Sequence, residues 1–284
     1  VGLLDGELDT ENRAYIELGL RFLKAGKLNL TCKNSNVFQP ENISDQNYDS
    51  SYDKSDESLV TKLGVDIRKY HKYRTDLVEE IKSERNTKLH ILEVGCGAGA
   101  TASLIKSQYP YAEYKGIERN DKAAMYARAF GDVITGDIET VEFEKEFNEY
   151  FDYVLLGDVL QYTHDPAGVI RKLSVCLKKS GSMIISVPNI RNWSVIIPLL
   201  NDDRFEYSDD GIINSSCIKF FTENEMARLI SGNGFSIKNI KTEISEEPSD
   251  VERRYLESLA ELSGQNDIND FLVSEYVFTI EKRR

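Results

Sequence analysis

Beyond about residue 88, short apolar runs typical of strands alternate with segments in which apolar residues recur at helical spacing. Short apolar runs predict strands, and the segments with helical spacing between them predict helices. The predicted strands are Leu89–Val94, Tyr114–Ile117, Val133–Ile134, Tyr153–Leu156 and Met183–Val187, and the predicted helices are Ala100–Gln108, Asp121–Ala129 and Ala167–Leu177. This βαβ order predicts an α/β fold with a parallel sheet and helices on both of its faces.

The last third of the chain departs from this order. Two strand-like runs, Phe235–Ile244 and Tyr276–Glu281, are not followed by long helices of regular pattern, which fits an antiparallel pair that closes the sheet. Before them, Asn189–Thr222 is too long for a simple turn and combines apolar residues with an acidic patch. An insertion at this place suits a substrate lid, and a surface-packing excursion is the alternative.

The residues before the first strand have a different character. Helical spacing predicts a short amphipathic helix over Glu11–Ala25 and a second helix over Lys62–Ile81, and the polar stretch Asn34–Glu57 between them predicts a loop. The first helix resembles one half of a helical repeat. We therefore expect an N-terminal extension over residues 1–64 and one α/β domain over residues 65–284, with the lid at 189–222.

Composition narrows the functional classes. The 284 residues carry a net charge of −13, which disfavours binding to a phosphate backbone. No run approaches the roughly 20 apolar residues that span a bilayer, and no signal peptide is predicted. The cysteines Cys32, Cys96, Cys176 and Cys217 form neither a CxxC pair nor a metal-ligand cluster, so a cytoplasmic protein with reduced thiols is expected.

The most informative stretch is the passage from the first α/β strand into its helix, which carries Gly95, Gly97 and Gly99. Glycine allows positive φ and close approach of the backbone to a ligand, and such a turn aims free N–H groups at that ligand. A dinucleotide fingerprint would read GxGxxG, whereas this chain has GxGxG preceded by Glu93. Glu93 suits a ligand with an ammonium group and would repel a pyrophosphate, so an NAD-dependent oxidoreductase is the disfavoured alternative.

Polar residues also end the next strands. Glu118 can accept both hydroxyls of a ribose, and Asp137 can accept an adenine amino group while Ile138 packs on the ring. A strand-end surface charge and a simple Gly-Asp turn are the alternatives for the two acids. The fourth strand ends at Gly157, Asp158 and Val159, where a ligand would sit beyond the carboxyl ends of the strands.

Together the motifs EVGCGAG, GIER, GDIE, FDYVLLGDVLQYTHDP and GSMIISVPN resemble those of the class I S-adenosylmethionine (SAM)-dependent methyltransferases over about residues 88–188. The resemblance implies a Rossmann-like, doubly wound sheet of seven strands with the last one antiparallel. It implies that the three glycines line the methionine moiety, that Glu118 binds the ribose, and that Asp137 and Ile138 bind adenine. The full predicted cofactor-binding set is Glu93, Gly95, Cys96, Gly97, Gly99, Glu118, Arg119, Asp137, Ile138, Gly157, Asp158 and Val159.

The stretch after the fifth strand is similar to methyltransferase domains that accompany glycosyltransferases and helical repeats in bacterial polysaccharide pathways. That resemblance implies a sugar-like acceptor and a glycosyltransferase or helical-repeat partner. Those domains usually have a Glu-His pair where this chain has Gln161-Tyr162, and a His where it has Cys217. This chain therefore lacks the two histidines that those domains usually have, and the resemblance assigns no catalytic histidine to it.

Candidate bases must come from this chain's own residues after the fourth strand. They are His164, Asp158 and Tyr162, in that order, although His164 also fits a plain helix-entry turn. His71 and His90 are interpreted as structural, while Tyr70 and Tyr73 could close over the cofactor or belong to the core. The predicted function is methyl transfer to a hydroxyl of a small, sugar-like molecule, and the alternative is a module that binds SAM or a partner protein without turnover.

Overall fold

The computed structural model describes residues 60–61, 63–208, 211–264 and 267–283. The predicted helix Glu11–Ala25 and the polar stretch after it lie outside the described residues. The strands are β1 (His90–Val94), β2 (Glu113–Glu118), β3 (Asp132–Thr135), β4 (Phe151–Gly157), β5 (Leu177–Pro188), β6 (Phe235–Glu243) and β7 (Glu275–Lys282). The helices are α1 (Ile67–Tyr70), α2 (Thr75–Val78), α3 (Ala100–Gln108), α4 (Asp121–Ala127), α5 (Pro166–Cys176), α6 (Trp193–Asp202), α7 (Glu223–Gly232), α8 (Asp250–Leu262) and α9 (Asn269–Leu272).

The seven strands form one sheet in the order β3-β2-β1-β4-β5-β7-β6. Strands β1 to β5 pair in parallel, and β7 lies antiparallel between β5 and β6. The predicted doubly wound sheet with a reversed last strand is therefore confirmed. The chain order reverses between β1 and β4, and in doubly wound sheets this switch point is where ligands bind.

Both faces of the sheet are covered by apolar cores, which explains the nearly continuous apolar runs of the parallel strands. Along β1, Ile91 packs into one core while Leu92 and Val94 pack into the other. Side chains from α3 and α4 complete the first core, and side chains from α5 and α7 complete the second. A third, smaller core joins α6 to α8 and α9 through Ile197, Leu256 and Phe271, among others.

Local capping explains where several helices begin. The side chain of Asn120 accepts two backbone N–H groups at the start of α4, and Asp165 accepts the N–H of Gly168 before a proline at the first turn of α5. Ser249 and Glu252 form a reciprocal capping box at the start of α8. Such caps satisfy backbone donors that a helix leaves unpaired at its first turn.

The prediction of one helix over Lys62–Ile81 is wrong. Between α1 and α2, residues 71–74 are not helical, and their backbone bonds to the glycine-rich turn instead. The Tyr70 carbonyl accepts the N–H of Ala98 at 2.6 Å, and the Arg74 N–H donates to Thr101 Oγ1 at 3.3 Å. Tertiary hydrogen bonds therefore replace the helical ones that the apolar spacing indicated.

The expectation that no long helix of regular pattern follows the Phe235–Ile244 run is wrong, because the 13-residue α8 places Leu256 and Ala260 in the third core and packs Tyr255 and Leu259 against it. The predicted lid contains α6, which is anchored on the third core, and a less regular stretch that leads to Thr222. None of the helices in the described part of the chain has the length and apolar character needed to cross a bilayer.

Candidate active site

A cavity of about 290 Å³ opens at the carboxyl ends of the parallel strands. The turns after β1, β2, β3 and β4 line it, together with Lys69, Tyr70, Lys72 and Arg74 on one side and Asn214 and Ser216 of the predicted lid on the other. The predicted cofactor-binding residues line this cavity with the exception of Gly99. Residues from the switch point, the upstream segment and the lid thus meet in one place.

The glycine bend after β1 is shaped by the segment that precedes the sheet. Gly97 has a φ of +53°, and a Cβ atom there would lie 2.3 Å from the Tyr70 carbonyl oxygen. Any larger residue would be strained and would push this segment off the bend. Gly99 has a different role, because a Cβ atom there would meet Ala127 and Phe130 at 2.8–3.0 Å. Gly99 therefore allows close packing of the helix start and does not line the cavity.

Glu93 is a buried carboxyl group at the base of the cavity. Its side chain is 4% exposed, and the Tyr114 hydroxyl donates to its Oε2 at 2.6 Å. Burial raises the pKa of Glu93 to about 7, against the lowering effects of the Tyr114 and Thr101 hydrogen bonds and of the Arg74 charge. A cationic ligand placed here would favour the ionised form of this carboxyl group.

Glu118 is held in one orientation by the backbone around it. Its Oε2 accepts the N–H of Gly97 at 2.9 Å and its Oε1 accepts the N–H of Asn120 at 2.7 Å. Each carboxylate oxygen retains a second lone pair, so the group can still accept two hydroxyls of a ligand. The bend and the end of β2 are thereby joined into one rigid wall.

The turn after β3 forms another wall of the cavity. Asp137 Oδ1 accepts the N–H of Glu139 at 2.9 Å, and Arg119 Nη1 lies 4.0 Å from Asp137 Oδ2. Ile138 beside it is 5% exposed and offers the cavity an apolar surface. A carboxylate next to a buried aliphatic side chain can bind a flat heterocycle with an exocyclic amino group.

Asp158 occupies a backbone conformation that is rare for residues other than glycine, with a φ of +55°. Three groups hold it: Arg74 Nη1 at 2.7 Å, Gln161 Nε2 at 3.3 Å, and the Ser186 hydroxyl, which accepts its N–H at 3.1 Å. The neighbouring Gly157 leaves room for this arrangement, since a Cβ there would lie 3.0 Å from Arg74 Nη1. Strain that is fixed by so many contacts is typical of functional sites.

Arg74 is a site residue that the sequence analysis missed. Its guanidinium contacts Asp76, Asp158, Glu275 and the Ser186 hydroxyl, and Glu275 is 201 residues away along the chain. Burial opposes its charge, but the three carboxylates outweigh that effect and raise the pKa of Arg74 above its already high value. No local motif marks Arg74 or Glu275.

Glu275 is the first residue of β7, and the sequence analysis did not single it out. Burial, and then the charge of Asp158, raise the pKa of Glu275 to about 7, although Arg74 and a hydrogen bond from Ser186 act in the opposite direction. Because β7 runs antiparallel to its neighbours, its first residue lies at the same sheet edge as the ends of β4 and β5. The reversed strand is thus what brings this acid to the cavity end of the sheet.

The three candidate bases are placed differently. Asp158 and Tyr162 line the cavity, whereas His164 does not. The His164 side chain is 86% exposed and pairs with Glu139 at 3.2 Å, so the structure places it on the surface. Burial, followed by the nearby Cys217 and Asp158, raises the pKa of Tyr162, which keeps its hydroxyl protonated at neutral pH.

The predicted lid segment reaches the cavity by a short stretch that is bonded to the turn after β4. Asn214 and Ser216 line the cavity, and the backbone N–H groups of Ile218 and Lys219 both donate to the Gln161 carbonyl at 2.9 and 3.1 Å. The predicted substrate-lid segment is therefore tied to the turn that carries Asp158 and Tyr162. Tyr70 lines the cavity, whereas Tyr73 is 58% exposed and does not.

Known proteins resemble this chain in sequence and in fold. A family profile described as a methyltransferase domain matches residues 67–239, which is more than half of the chain. A crystal structure of a SAM-dependent methyltransferase from Archaeoglobus fulgidus aligns with a TM-score of 0.51 at 16% identity, covering 73% of this chain and 91% of that one. At this identity the likeness concerns the fold alone.

Curated relatives are also methyltransferases. The ubiquinone biosynthesis O-methyltransferase of Rickettsia canadensis is 27% identical over 58% of this chain and 71% of its own length. The demethylmenaquinone methyltransferase of Thermotoga maritima is 22% identical over 63% and 81%. The malonyl-[acyl-carrier protein] O-methyltransferase of Acetivibrio thermocellus is 27% identical over 40% and 41%. With the family match and the sheet order, these findings show that the chain belongs to the class I SAM-dependent methyltransferases.

Proposed function

We propose that this enzyme transfers the methyl group of SAM to an oxygen atom of a small-molecule acceptor. The observation that carries the proposal is that the Asp158 carboxylate and the protonated hydroxyl of Tyr162 line the same cavity. The names of two relatives, the ubiquinone and malonyl-[acyl-carrier protein] O-methyltransferases, support oxygen as the acceptor atom.

The cavity residues fit SAM chemically. Glu93 and Asp158 supply negative charge for the sulfonium and ammonium groups, and Glu118 supplies a preoriented acceptor for two ribose hydroxyls. Asp137 and Ile138 suit an adenine ring, and Cys96, Arg119 and Val159 complete the surrounding wall. When bound, SAM supplies an electrophilic methyl group on a good leaving group.

The chain's own contribution is mainly positioning. Holding acceptor and donor in line can supply roughly 7–11 kcal/mol of the barrier reduction. We assign Asp158 the role of accepting the proton of an acceptor hydroxyl, and a positioned base contributes roughly 10²–10⁴-fold. Tyr162 stays protonated and therefore donates a hydrogen bond to the acceptor, so we assign it an orienting role.

A sugar-like acceptor remains part of this proposal. Its support is the polar surface that Tyr162, Thr163, Asn214 and Ser216 present to the cavity, together with the sequence resemblance of the lid. A glycosyltransferase or helical-repeat partner, a role in polysaccharide biosynthesis and a cytoplasmic location are proposals that rest on that resemblance alone. The names of two relatives, which act in ubiquinone biosynthesis and on demethylmenaquinone, support a quinone-related acceptor as the second class to test.

Two experiments test the function. Titration calorimetry is expected to show binding of SAM and none of NAD. Transfer of an isotope-labelled methyl group from SAM is then measured with sugars, catechols and carboxylic acids as acceptors. Asp158→Asn is expected to lower transfer at least about 100-fold, whereas the surface control Asp132→Asn, whose side chain is 84% exposed, leaves it unchanged. Binding of SAM with transfer to no acceptor class would favour a non-catalytic module.

A further inference from the structure

Three carboxylates form ion pairs with Arg74, which supplies one positive charge. Asp76 comes from α2, Asp158 from the turn after β4 and Glu275 from the start of β7. Within the residues that the structure describes, Arg74 is the basic side chain that forms ion pairs with any of the three. When all three acids are ionised, the cluster therefore carries two negative charges in excess, close to the cavity that Asp158 lines.

Glu275 and Asp158 share the same partners. Arg74 Nη1 donates to Asp158, whereas Arg74 Nη2 donates to Glu275, to Asp76 and to the Ser186 hydroxyl. The Ser186 hydroxyl accepts the N–H of Asp158 and itself bonds to Glu275. One guanidinium and one hydroxyl therefore bridge the two acids, because β7 places Glu275 opposite Pro188 at the end of β5.

We propose that Glu275 is a positioning residue for methyl transfer: because it shares Arg74 and Ser186 with Asp158, it sets the charge and orientation that Asp158 presents to the cavity. This inference rests on the proposed function of Asp158. With a proton on Glu275, Arg74 binds Asp158 and Asp76 without a third competitor. When Glu275 is ionised, the guanidinium is divided among three carboxylates and the cavity becomes more negative.

The charged groups around Glu275 are Arg74 and Asp76 from the start of α2, Asp158 from the turn after β4, and its register partner Glu243 on β6, which pairs with Lys241 at 2.9 Å. Loss of the Glu275 proton between about pH 6 and pH 8 therefore adds negative charge beside Asp158, which lines the cavity. A cationic ligand gains from that charge, whereas a neutral ligand of the same shape does not. SAM and its neutral demethylated product, S-adenosylhomocysteine, form such a pair of probes.

The experiment compares the affinities of both probes by titration calorimetry at pH 6 and pH 8. For the wild type, the preference for SAM over S-adenosylhomocysteine is expected to rise about threefold to tenfold between these values. Glu275→Gln is expected to lose a large part of that rise, the remainder coming from Glu93, which also lines the cavity. Glu275→Asp, which keeps the charge, is expected to restore it.

The control is Glu281→Gln, at the other end of β7, where the side chain pairs with Lys238 at 3.0 Å on the surface. It is expected to behave as the wild type. A purely structural role of Glu275 would weaken both probes equally at both pH values, and that result overturns the proposal. So does an unchanged rise in Glu275→Gln.

A second variant covers the case in which Glu275→Gln does not fold. Ser186→Ala keeps the carboxyl group and removes one bridge to Asp158, so it is expected to reduce the pH-dependent rise as well; an unchanged rise would again count against the proposal. Failure of the O-methyl transfer proposal looks different. It appears in the wild type, as binding of SAM without transfer, before any variant of Glu275 is made.

Discussion

The two ends of the cavity are assembled from different spans of the chain. The glycine-bend end, formed by Glu93, Gly97, Glu118 and Asp137, comes from three successive βα units, and its acids are held by neighbouring backbone N–H groups or a tyrosine. The Arg74 end joins Arg74 to Asp158 and to Glu275, which lies 201 residues from Arg74. The first end is local, and the second depends on the whole fold.

The two groups of acids therefore depend on different partners. The acids of the glycine-bend end can be fixed before the last strand is in place, because their partners belong to the same units. The acids of the Arg74 end need a buried guanidinium, and a buried ion pair is costly when one partner is lost. The five changes below test this contrast, from the largest expected effect to the smallest.

Gly97→Val is expected to have the largest effect. The new side chain would meet the Tyr70 carbonyl at a backbone φ of +53°, so the bend and the segment over it must separate. We expect loss of SAM affinity by more than about 100-fold, with a stability cost of about 1–3 kcal/mol. Calorimetry and urea unfolding measure the two. Gly232→Ala, where no atom lies within 4 Å, is the control, and SAM binding close to wild type in Gly97→Val would contradict the assignment.

Arg74→Gln tests the other end. It leaves Asp76, Asp158 and Glu275 without their shared cation, and removing one partner of a buried ion pair costs about 3–5 kcal/mol. Because the Arg74 side chain is 15% exposed, we expect a value at the lower end of that range. Urea unfolding measures it, with the exposed Arg228→Gln as the control. A loss below about 1 kcal/mol would show that the cluster contributes little to the fold.

Glu118→Gln separates binding from stability at the glycine-bend end. The amide group would face one of the two backbone N–H donors that the carboxylate accepts, so one bond is lost and the ribose acceptor is weakened. We expect SAM affinity to fall about 10- to 100-fold. Glu113→Gln, at the other end of β2 with a side chain 43% exposed, should bind SAM as the wild type does. Equal affinities of the two variants would exclude Glu118 from the site.

Glu93→Gln concerns pH. The folded pKa of Glu93 is about 7, above the ordinary value of 4.5, so the folded state holds its proton longer than the unfolded state. The stability that this provides is complete below pH 4.5 and is lost as the pH rises to about 7. The variant should therefore be more stable than the wild type at pH 8 by about 1–3 kcal/mol, and similar at pH 5. Urea unfolding at both values measures this, and a difference that does not change with pH would contradict it.

His164→Ala should have the smallest effect. The imidazole lies on the surface, and an exposed pair such as that with Glu139 contributes about 0–1 kcal/mol. Methyl transfer is expected to stay within about twofold of the wild type. The test is an initial-rate measurement beside Asp158→Asn. If His164→Ala lost transfer as completely as Asp158→Asn, the surface position of His164 would not be the one used in the reaction.

Particular residues show how far the sequence could be interpreted. The glycine bend, Glu118 and Asp137 were predictable because each follows a strand whose apolar pattern is visible, and the carboxyl ends of parallel strands meet at one edge. The helix predicted over Lys62–Ile81 was wrong because Tyr70 and Arg74 bond to the turn around Ala98 and Thr101. His164 is the first candidate base because an imidazole suits general-base chemistry and lies two residues past Tyr162, but that separation does not determine which side chain enters a cavity.

The sequence by itself determined the alternation of strands and helices from β1 to β5, the reversed end of the sheet and the acids that follow β2 and β3, because hydrophobic periodicity and short-range backbone geometry act over a few residues. Only the tertiary structure decided that Arg74 joins Asp158 to Glu275 and that His164 stays on the surface. Ion pairs between distant segments depend on strand order and register. These are fixed only when the apolar faces of all the elements pack together.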